Sequence, residues 1–217
     1  MALKLVHPST IIIAGPTGSG KTKFVQKLLA SRMIEPWPNN IIWIYSEWQT
    51  IYQKLESMME GIKFQKGLSP DLFSQIDPMK RNLLVIDDQM ADLADNREMI
   101  DLFTKGSHHR NLSVIFIVQN LFQKGSVMRT LSLNTQYYII FKSPRDKSQI
   151  RSLSSQMYPG LGNFLVDSFE DATKDPYGYL LIDLRPETPE DFRIRTHIFP
   201  NEVPQVYTPS KLPKRRQ

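Results

Sequence analysis

The sequence predicts an α/β fold with a mainly parallel central sheet covered on both faces, and three observations lead there. Five short β-branched apolar runs, Thr10–Ala14, Ile41–Tyr45, Leu83–Ile86, Ser113–Val118 and Tyr137–Phe141, are continuous rather than alternating. Strands buried on both faces read this way, because neither row of side chains meets water. Between the runs lie segments with helical periodicity. Strand and helix alternate over lengths that suit crossovers between parallel strands.

Taken in order, the first strand is Thr10–Ala14. The helix after Thr22 places Phe24, Val25, Leu28 and Leu29 on one face and Lys23, Gln26 and Lys27 on the other. After the second strand, Ile51, Tyr52, Leu55, Met58 and Met59 make a second apolar stripe; Met99, Ile100, Leu102 and Phe103 make a third. The last third is less regular. Gly178–Leu184 and Phe192–Ile198 read as two further strands around the turn Arg185-Pro186-Glu187-Thr188-Pro189. From Pro200 onward, Pro204, Pro209, Pro213 and the ending Lys214-Arg215-Arg216-Gln217 predict an extended or disordered tail. The expected layout is one domain over 1–199, with its core at about 10–160 and a β extension at about 161–199, followed by a Pro-rich basic tail over 200–217.

Composition narrows the function classes. The chain has 217 residues, and its 41% hydrophobic content can fill a sizeable core. A net charge of +5 suits a polyanionic partner and carries no information about fold. Without cysteine there is no disulfide framework, Cys-ligated zinc or iron–sulfur cluster, and a reducing compartment fits. The longest apolar runs fall far short of the ~20 residues that span a bilayer, and no A-x-A-like cleavage site follows the first residues. The expectation is therefore of neither a membrane-spanning nor a secreted protein.

The strongest motif is Gly15-Pro16-Thr17-Gly18-Ser19-Gly20-Lys21-Thr22, a full match to G-x-x-x-x-G-K-[ST] lying between a strand and a helix. Glycines let successive backbone N–H groups turn inward around phosphate oxygens, and the helix N-terminus adds its positive end. Lys21 is expected to reach the β- and γ-phosphates of ATP, and the Thr22 hydroxyl to ligate Mg²⁺. Leu83-Leu84-Val85-Ile86-Asp87-Asp88 is an apolar strand ending in two acids. Asp87 is expected to help hold Mg²⁺ and Asp88 to orient the attacking water, although a strand end capped by acids is also an ordinary structural feature. Ser113–Val118 ends in Gln119, a candidate γ-phosphate sensor, since an open α/β sheet binds its ligand at strand tips. Arg110, Arg129 and Arg145 are candidates for a cation supplied to a neighbouring subunit's site; each equally fits a surface or DNA contact. His108-His109 reads as a solvated or structural pair, and Trp37, Trp43 and Trp48 as packing residues. Lys211, Lys214, Arg215 and Arg216 could grip phosphates or simply solvate a tail.

The combination of Gly15–Thr22, Leu83–Asp88 and a strand ending in Gln119 resembles the FtsK–HerA superfamily of DNA-pumping ATPases. Within it the chain looks most similar to the genome-packaging ATPases of Polintons, adintoviruses and related double-jelly-roll DNA viruses, relatives of the poxvirus packaging ATPase. The stretches that carry this are Tyr45-Ser46-Glu47-Trp48-Gln49, His109-Arg110-Asn111, Gln119-Asn120-Leu121-Phe122, Leu133-Asn134 and Phe141-Lys142-Ser143-Pro144-Arg145-Asp146. Together they cover roughly residues 10 to 160; nothing specific stands out in 161–217. The resemblance implies a P-loop NTPase of RecA-like (ASCE) type, a three-layer sandwich with strand order 5-1-4-3-2. It also implies a homo-oligomeric ring, ATP-driven threading of double-stranded DNA into a capsid, and contact with capsid vertex proteins. The implied location is inside the infected host cell, with the nucleus and the virion as candidate sites. The acid pair is Asp-Asp rather than the Asp-Glu of some superfamily members, so Asp88 must sit closer to its water than a glutamate would.

Three other readings remain open on the sequence. A helicase or replication ATPase would differ mainly in being stimulated by single-stranded DNA. A nucleotide or small-molecule kinase needs an arginine-rich lid, which the sequence does not display after the fifth strand. A non-catalytic nucleotide-gated adaptor has no chemical need for Lys21, Thr22, Asp87 and Asp88 together.

Overall fold

The computed structural model describes residues 4–69, 72–88, 111–121, 126–144, 147–161 and 163–209. In chain order the described elements are β1 (Leu5–Val6), β2 (Thr10–Ala14), α1 (Lys21–Ala30), β3 (Ile34–Glu35), β4 (Asn40–Tyr45), α2 (Thr50–Met58), β5 (Ile62–Lys66) and α3 (Leu72–Gln75). There follow β6 (Asn82–Asp87), β7 (Leu112–Val118), α4 (Ser126–Leu133), β8 (Tyr137–Phe141), α5 (Ser148–Met157), α6 (Phe164–Ala172), β9 (Tyr179–Asp183), β10 (Ile194–Thr196) and β11 (Gln205–Tyr207).

Nine strands form one sheet in the order β11-β10-β9-β8-β2-β7-β6-β4-β5. From β8 through β5 every pairing is parallel. β9, β10 and β11 continue it antiparallel along the other edge. The five strands expected from the apolar runs thus lie as 5-1-4-3-2. Their uninterrupted apolar character has a direct cause: alternate residues feed two separate cores. On one face Ile11 and Ile13 of β2 meet Phe24, Val25, Leu28 and Leu29 of α1 and Tyr52 and Leu55 of α2. On the other, Ile12 and Ala14 join the core that holds Leu72 of α3, Ile150 and Leu153 of α5, and Leu165 and Phe169 of α6. Each fully buried Ile or Leu contributes ~1.5–3 kcal/mol relative to exposure, so both faces oppose any slip of register.

Several details differ from the sequence expectations. The stripe on α2 is narrower than its spacing suggests: Tyr52 and Leu55 are buried and Ile51 and Met59 pack partly against the same core, whereas Met58 is 61% exposed. β1 and β3 pair with each other in a separate parallel ribbon, too short to show periodicity. β5 carries no continuous apolar run: its pattern, Ile-Lys-Phe-Gln-Lys, is polar at every second position, as suits an edge strand. In the segment Phe192–Ile198 only Ile194–Thr196 is strand; Glu190–Phe192 makes a 3₁₀ turn that leaves Phe192 exposed. Part of the segment expected to be a tail from Pro200 is instead built into the sheet: Gln205–Tyr207 pairs with β10, and Tyr207 donates its hydroxyl to Asp171 at 2.8 Å. The third apolar stripe at 99–103, His108, His109 and the basic residues from Lys211 onward lie outside the described residues.

Candidate active site

β2 sits between β8 and β7, with Ala14 in register with Ile140 on one side and Val118 on the other. The chain leaves the sheet there, Gly15 N–H donating to Val118 O at 3.2 Å, and turns through Gly15–Gly20 into α1. Glycine is required by close approach at Gly15 and by backbone conformation at Gly20. At Gly20, φ is +103°, a conformation in which a Cβ is strained. At Gly15 a Cβ would lie 2.7 Å from Phe141 Cβ and 2.9 Å from Ser19 Oγ, closer than atoms can pack. Lys21 folds back across the loop, its ammonium donating to Gly15 O at 2.6 Å and Pro16 O at 2.9 Å. Burial lowers the Lys21 pKa, and the charges of Asp87 and Asp88 work the other way. Ser19 Oγ is buried and has no hydrogen-bond partner among the described residues. The N-terminus of α2 faces the loop across a pocket of about 360 Å³ bordered by Lys21, Thr22, Thr50 and Tyr177.

The acids come from β6, two strands from β2. Asp87 pairs in register with Tyr45 of β4 and Ile117 of β7, so the acid pair and Gln119 project from neighbouring strand tips. Asp87 is buried, and its Oδ2 accepts from Thr22 Oγ1 at 3.4 Å and from Tyr52 Oη at 2.9 Å. Burial pushes the Asp87 carboxyl above its usual range, and Asp88 adds to this, while the bonds from Tyr52 and Thr22 and the Lys21 charge pull it back. Asp88 is exposed and takes φ +59°, which turns its side chain away from the strand direction. Gln119 Nε2 lies 3.5 Å from Asp88 Oδ1.

Lys21, Thr22, Asp87, Asp88 and Gln119 therefore converge at one end of the sheet, and Gly15, Pro16, Thr17, Gly18, Ser19 and Gly20 form the loop beside them. Arg110 and Arg145 lie outside the described residues. Arg129 falls on α4, but its side chain lies outside what is described. One functional candidate was missed on the sequence: Tyr52, read as a core residue of an apolar stripe. Only the packing of α2 shows that its hydroxyl reaches Asp87, and no motif signals it. Trp43 is fully buried as expected, while Trp48, 49% exposed, packs edge-on against Tyr45, Tyr52 and Phe64.

The residues present fit a divalent cation. Thr22 and Asp87 set two hard oxygen donors face to face, and a carboxylate held above its usual range by burial gains most from a neighbouring cation. Among the described residues no group of three or more His, Asp or Glu forms a separate metal cluster, and no helix is long and apolar enough to cross a membrane.

Fold and loop together define a P-loop NTPase architecture, and comparison with known proteins agrees. The genome packaging NTPase B204 of Sulfolobus turreted icosahedral virus 2, in complex with ATP-gammaS, superposes with a TM-score of 0.57 at 13% identity, covering 94% of this chain and 98% of that one. B204, the DNA-packaging ATPase of Sulfolobus turreted icosahedral virus, gives 0.57 at 12% identity over the same shares. The cytoplasmic domain of the type VII secretion ATPase EccC of Thermomonospora curvata gives 0.52 at 11%, over 92% of this chain and 25% of that one. At these identities the likeness is one of fold. In sequence, 46 residues, or 21% of this chain, are 37% identical to packaging protein 1 of snake adenovirus serotype 1, a match that spans a tenth of the adenovirus protein. No protein-family model matches.

Proposed function

We propose that this chain is an ATP-hydrolysing motor subunit that assembles with copies of itself into a ring and drives double-stranded DNA into a viral capsid. The observation that carries the proposal is the convergence of Lys21, Thr22, Asp87, Asp88 and Gln119 at the tips of β2, β6 and β7, as ATP hydrolysis requires. The packaging roles printed for B204 and for the adenovirus protein favour DNA as the polymer moved and a capsid vertex as its destination. They also favour action inside the infected cell or in the virion. The net charge of +5 suits the DNA. The continuous sheet from β5 to β11 supports reading 1–199 as one ATPase domain, with β11 in 200–217 added to its edge.

In this mechanism the backbone N–H groups of the 15–22 loop cradle the phosphates. The Lys21 ammonium exchanges the Gly15 and Pro16 carbonyls for β- and γ-phosphate oxygens, a charge-assisted interaction stronger than the one it leaves. Thr22 and Asp87 would hold Mg²⁺, which would neutralise phosphate charge. Tyr52 keeps the Asp87 carboxylate ionised and oriented. Asp88 accepts a proton from water as the water oxygen bonds to the γ-phosphorus and the bond to the β-phosphate oxygen breaks. The Gln119 amide, next to Asp88, senses whether the γ-phosphate is present. An arginine from the adjoining subunit (Arg110, Arg129 or Arg145) stabilises the charge that develops.

The test is steady-state ATP hydrolysis without DNA, with single-stranded DNA and with duplex, beside a Lys21→Ala control. Stimulation by duplex that the control abolishes supports the proposal. Preference for single strands would replace it with a helicase or replication ATPase, and phosphate transfer to a nucleoside acceptor would replace it with a kinase.

A further inference from the structure

Trp48 lies on the turn from β4 into α2, half of its surface in water, yet other rings hold it on three sides. It stands edge-on to Tyr45 (ring centroids 5.3 Å apart), Tyr52 (5.6 Å) and Phe64 of β5 (5.7 Å). Tyr52, fully buried behind it, also meets the rings of Trp43, Tyr45 and Phe64, each at 5.4 Å. Aromatic pairs favour edge-on and offset arrangements with centroids about 4.5–7 Å apart, so these contacts restrict one another. The turn is also tied to the neighbouring strand: Gly67 N–H donates to Tyr45 O at 2.9 Å, and Glu47 pairs with Lys66 at 3.4 Å. Tyr45, where the turn begins, is in register with Asp87 of β6.

The residues that follow Trp48 face two ways. Tyr52 N–H donates to Gln49 O at 3.0 Å, so residues 49–52 make one closed turn at the start of α2. Gln49, Thr50 and Ile51 border the pocket over the 15–22 loop, while Tyr52 gives its hydroxyl to Asp87 Oδ2 at 2.9 Å. Any displacement of this turn therefore reaches Asp87. The helix cannot fix the turn by itself, since α2 has nine residues and buries only Tyr52 and Leu55; helices this short depend on packing. Of the four rings against Tyr52, three come from β4 and β5, whose positions the sheet sets; Trp48 closes the remaining side, toward solvent. We propose that Trp48 is a positioning residue for ATP hydrolysis: it completes the aromatic box around Tyr52 and through the Tyr52 hydroxyl holds the Asp87 carboxylate in place for the hydrolytic step. Trp48 is not among the residues that border the pocket over the loop, so its effect passes through Tyr52. The inference rests on the reading of Asp87 as the metal-side acid of an ATPase and adds what keeps that acid where it is.

The test is steady-state ATP turnover, with kcat and KM resolved, for wild type, Trp48→Ala, Trp48→Phe, Tyr52→Phe and the double variant Trp48→Ala/Tyr52→Phe. Trp48→Ala should lower kcat by roughly 10–100-fold, the scale on which a misplaced group slows a reaction, and leave KM unchanged. Trp48→Phe keeps one ring against Tyr45 and Tyr52 and should restore kcat. The double variant should be no slower than the slower single one, because both side chains act through the same bond to Asp87. An undiminished kcat in Trp48→Ala, a rise in KM alone, or losses that multiply in the double variant would overturn the inference and leave the ATPase reading standing. If Trp48→Ala does not fold, Trp48→Leu, which keeps apolar cover without a ring, takes its place and the same outcomes decide. A wild-type protein that hydrolyses no ATP would remove the ATPase reading and this inference with it.

Discussion

Replacing Tyr52 with phenylalanine removes one oxygen and tests how the buried acid is held. Tyr52 is fully buried and Asp87 is 5% exposed, so little solvent weakens the 2.9 Å bond between them. A hydrogen bond to a charged group contributes ~1.5–3 kcal/mol, against ~0.5–1.5 kcal/mol when both partners are neutral. Both bounds apply to this one pair, depending on whether Asp87 is ionised. Burial raises the folded-state pKa of Asp87 above its ordinary value, and the Tyr52 bond restrains that rise. The ionised form, and with it the stronger bond, therefore exists above the folded pKa and disappears as pH falls through it. We expect Tyr52→Phe to lose ~2 kcal/mol at pH 8 by urea unfolding, a midpoint shift of about 1 M at a slope near 2 kcal/mol/M. Near pH 4 the loss should shrink to ~1 kcal/mol or less. The acid limb of ATP turnover should move to higher pH in the variant, because Asp87 becomes harder to ionise. A loss below about 0.5 kcal/mol at pH 8, or one that is the same at both pH values, would refute the reasoning.

Three further outcomes are expected. Asp88→Asn should lower turnover by roughly 10²–10⁴-fold, the range for loss of a general base, while nucleotide affinity by calorimetry stays within a few-fold; unchanged turnover would remove Asp88 from the chemistry. Gly15→Ala should destabilise the fold by ~1–3 kcal/mol, the usual cost of overpacking, because its new methyl meets Phe141 Cβ at 2.7 Å; a thermal midpoint equal to wild type would contradict the packing. His7 is buried, with Nε2 against Asn111 Oδ1 at 2.9 Å and Nδ1 accepting from Ser113 Oγ at 2.6 Å, and burial lowers its pKa below 6.5. The unfolded chain then takes up a proton before the folded one does, so stability should fall as pH drops below about 6.5. His7→Gln should flatten that part of the urea profile; an equally steep profile in the variant would assign the loss to another group.

Legibility followed the range over which each feature is encoded. The five core strands could be read because burial on both faces demands unbroken apolar runs, and the turn from β2 into α1 because its glycine spacing is local to Gly15–Thr22. β5 and β11 could not. An edge strand has one neighbour and tolerates the polar residues of Lys63 and Gln65, and Gln205–Tyr207 is strand only because β10 offers it a partner. Met58 departs from its stripe because periodicity marks a face of a helix but not how wide a part of that face the sheet covers.

The sequence alone singled out Lys21, Thr22 and Asp87 as the candidates for phosphate and metal, since they occur in motifs whose spacing is set by backbone geometry within a single turn or strand. Tertiary structure decided what surrounds them. Tyr52 reaches Asp87 across 35 residues of chain, and Tyr177 leans over Gly20 from 157 residues away. Both placements depend on the order of strands in the sheet and on which face each helix covers. Those are properties of long-range burial, and no local pattern of side chains records them.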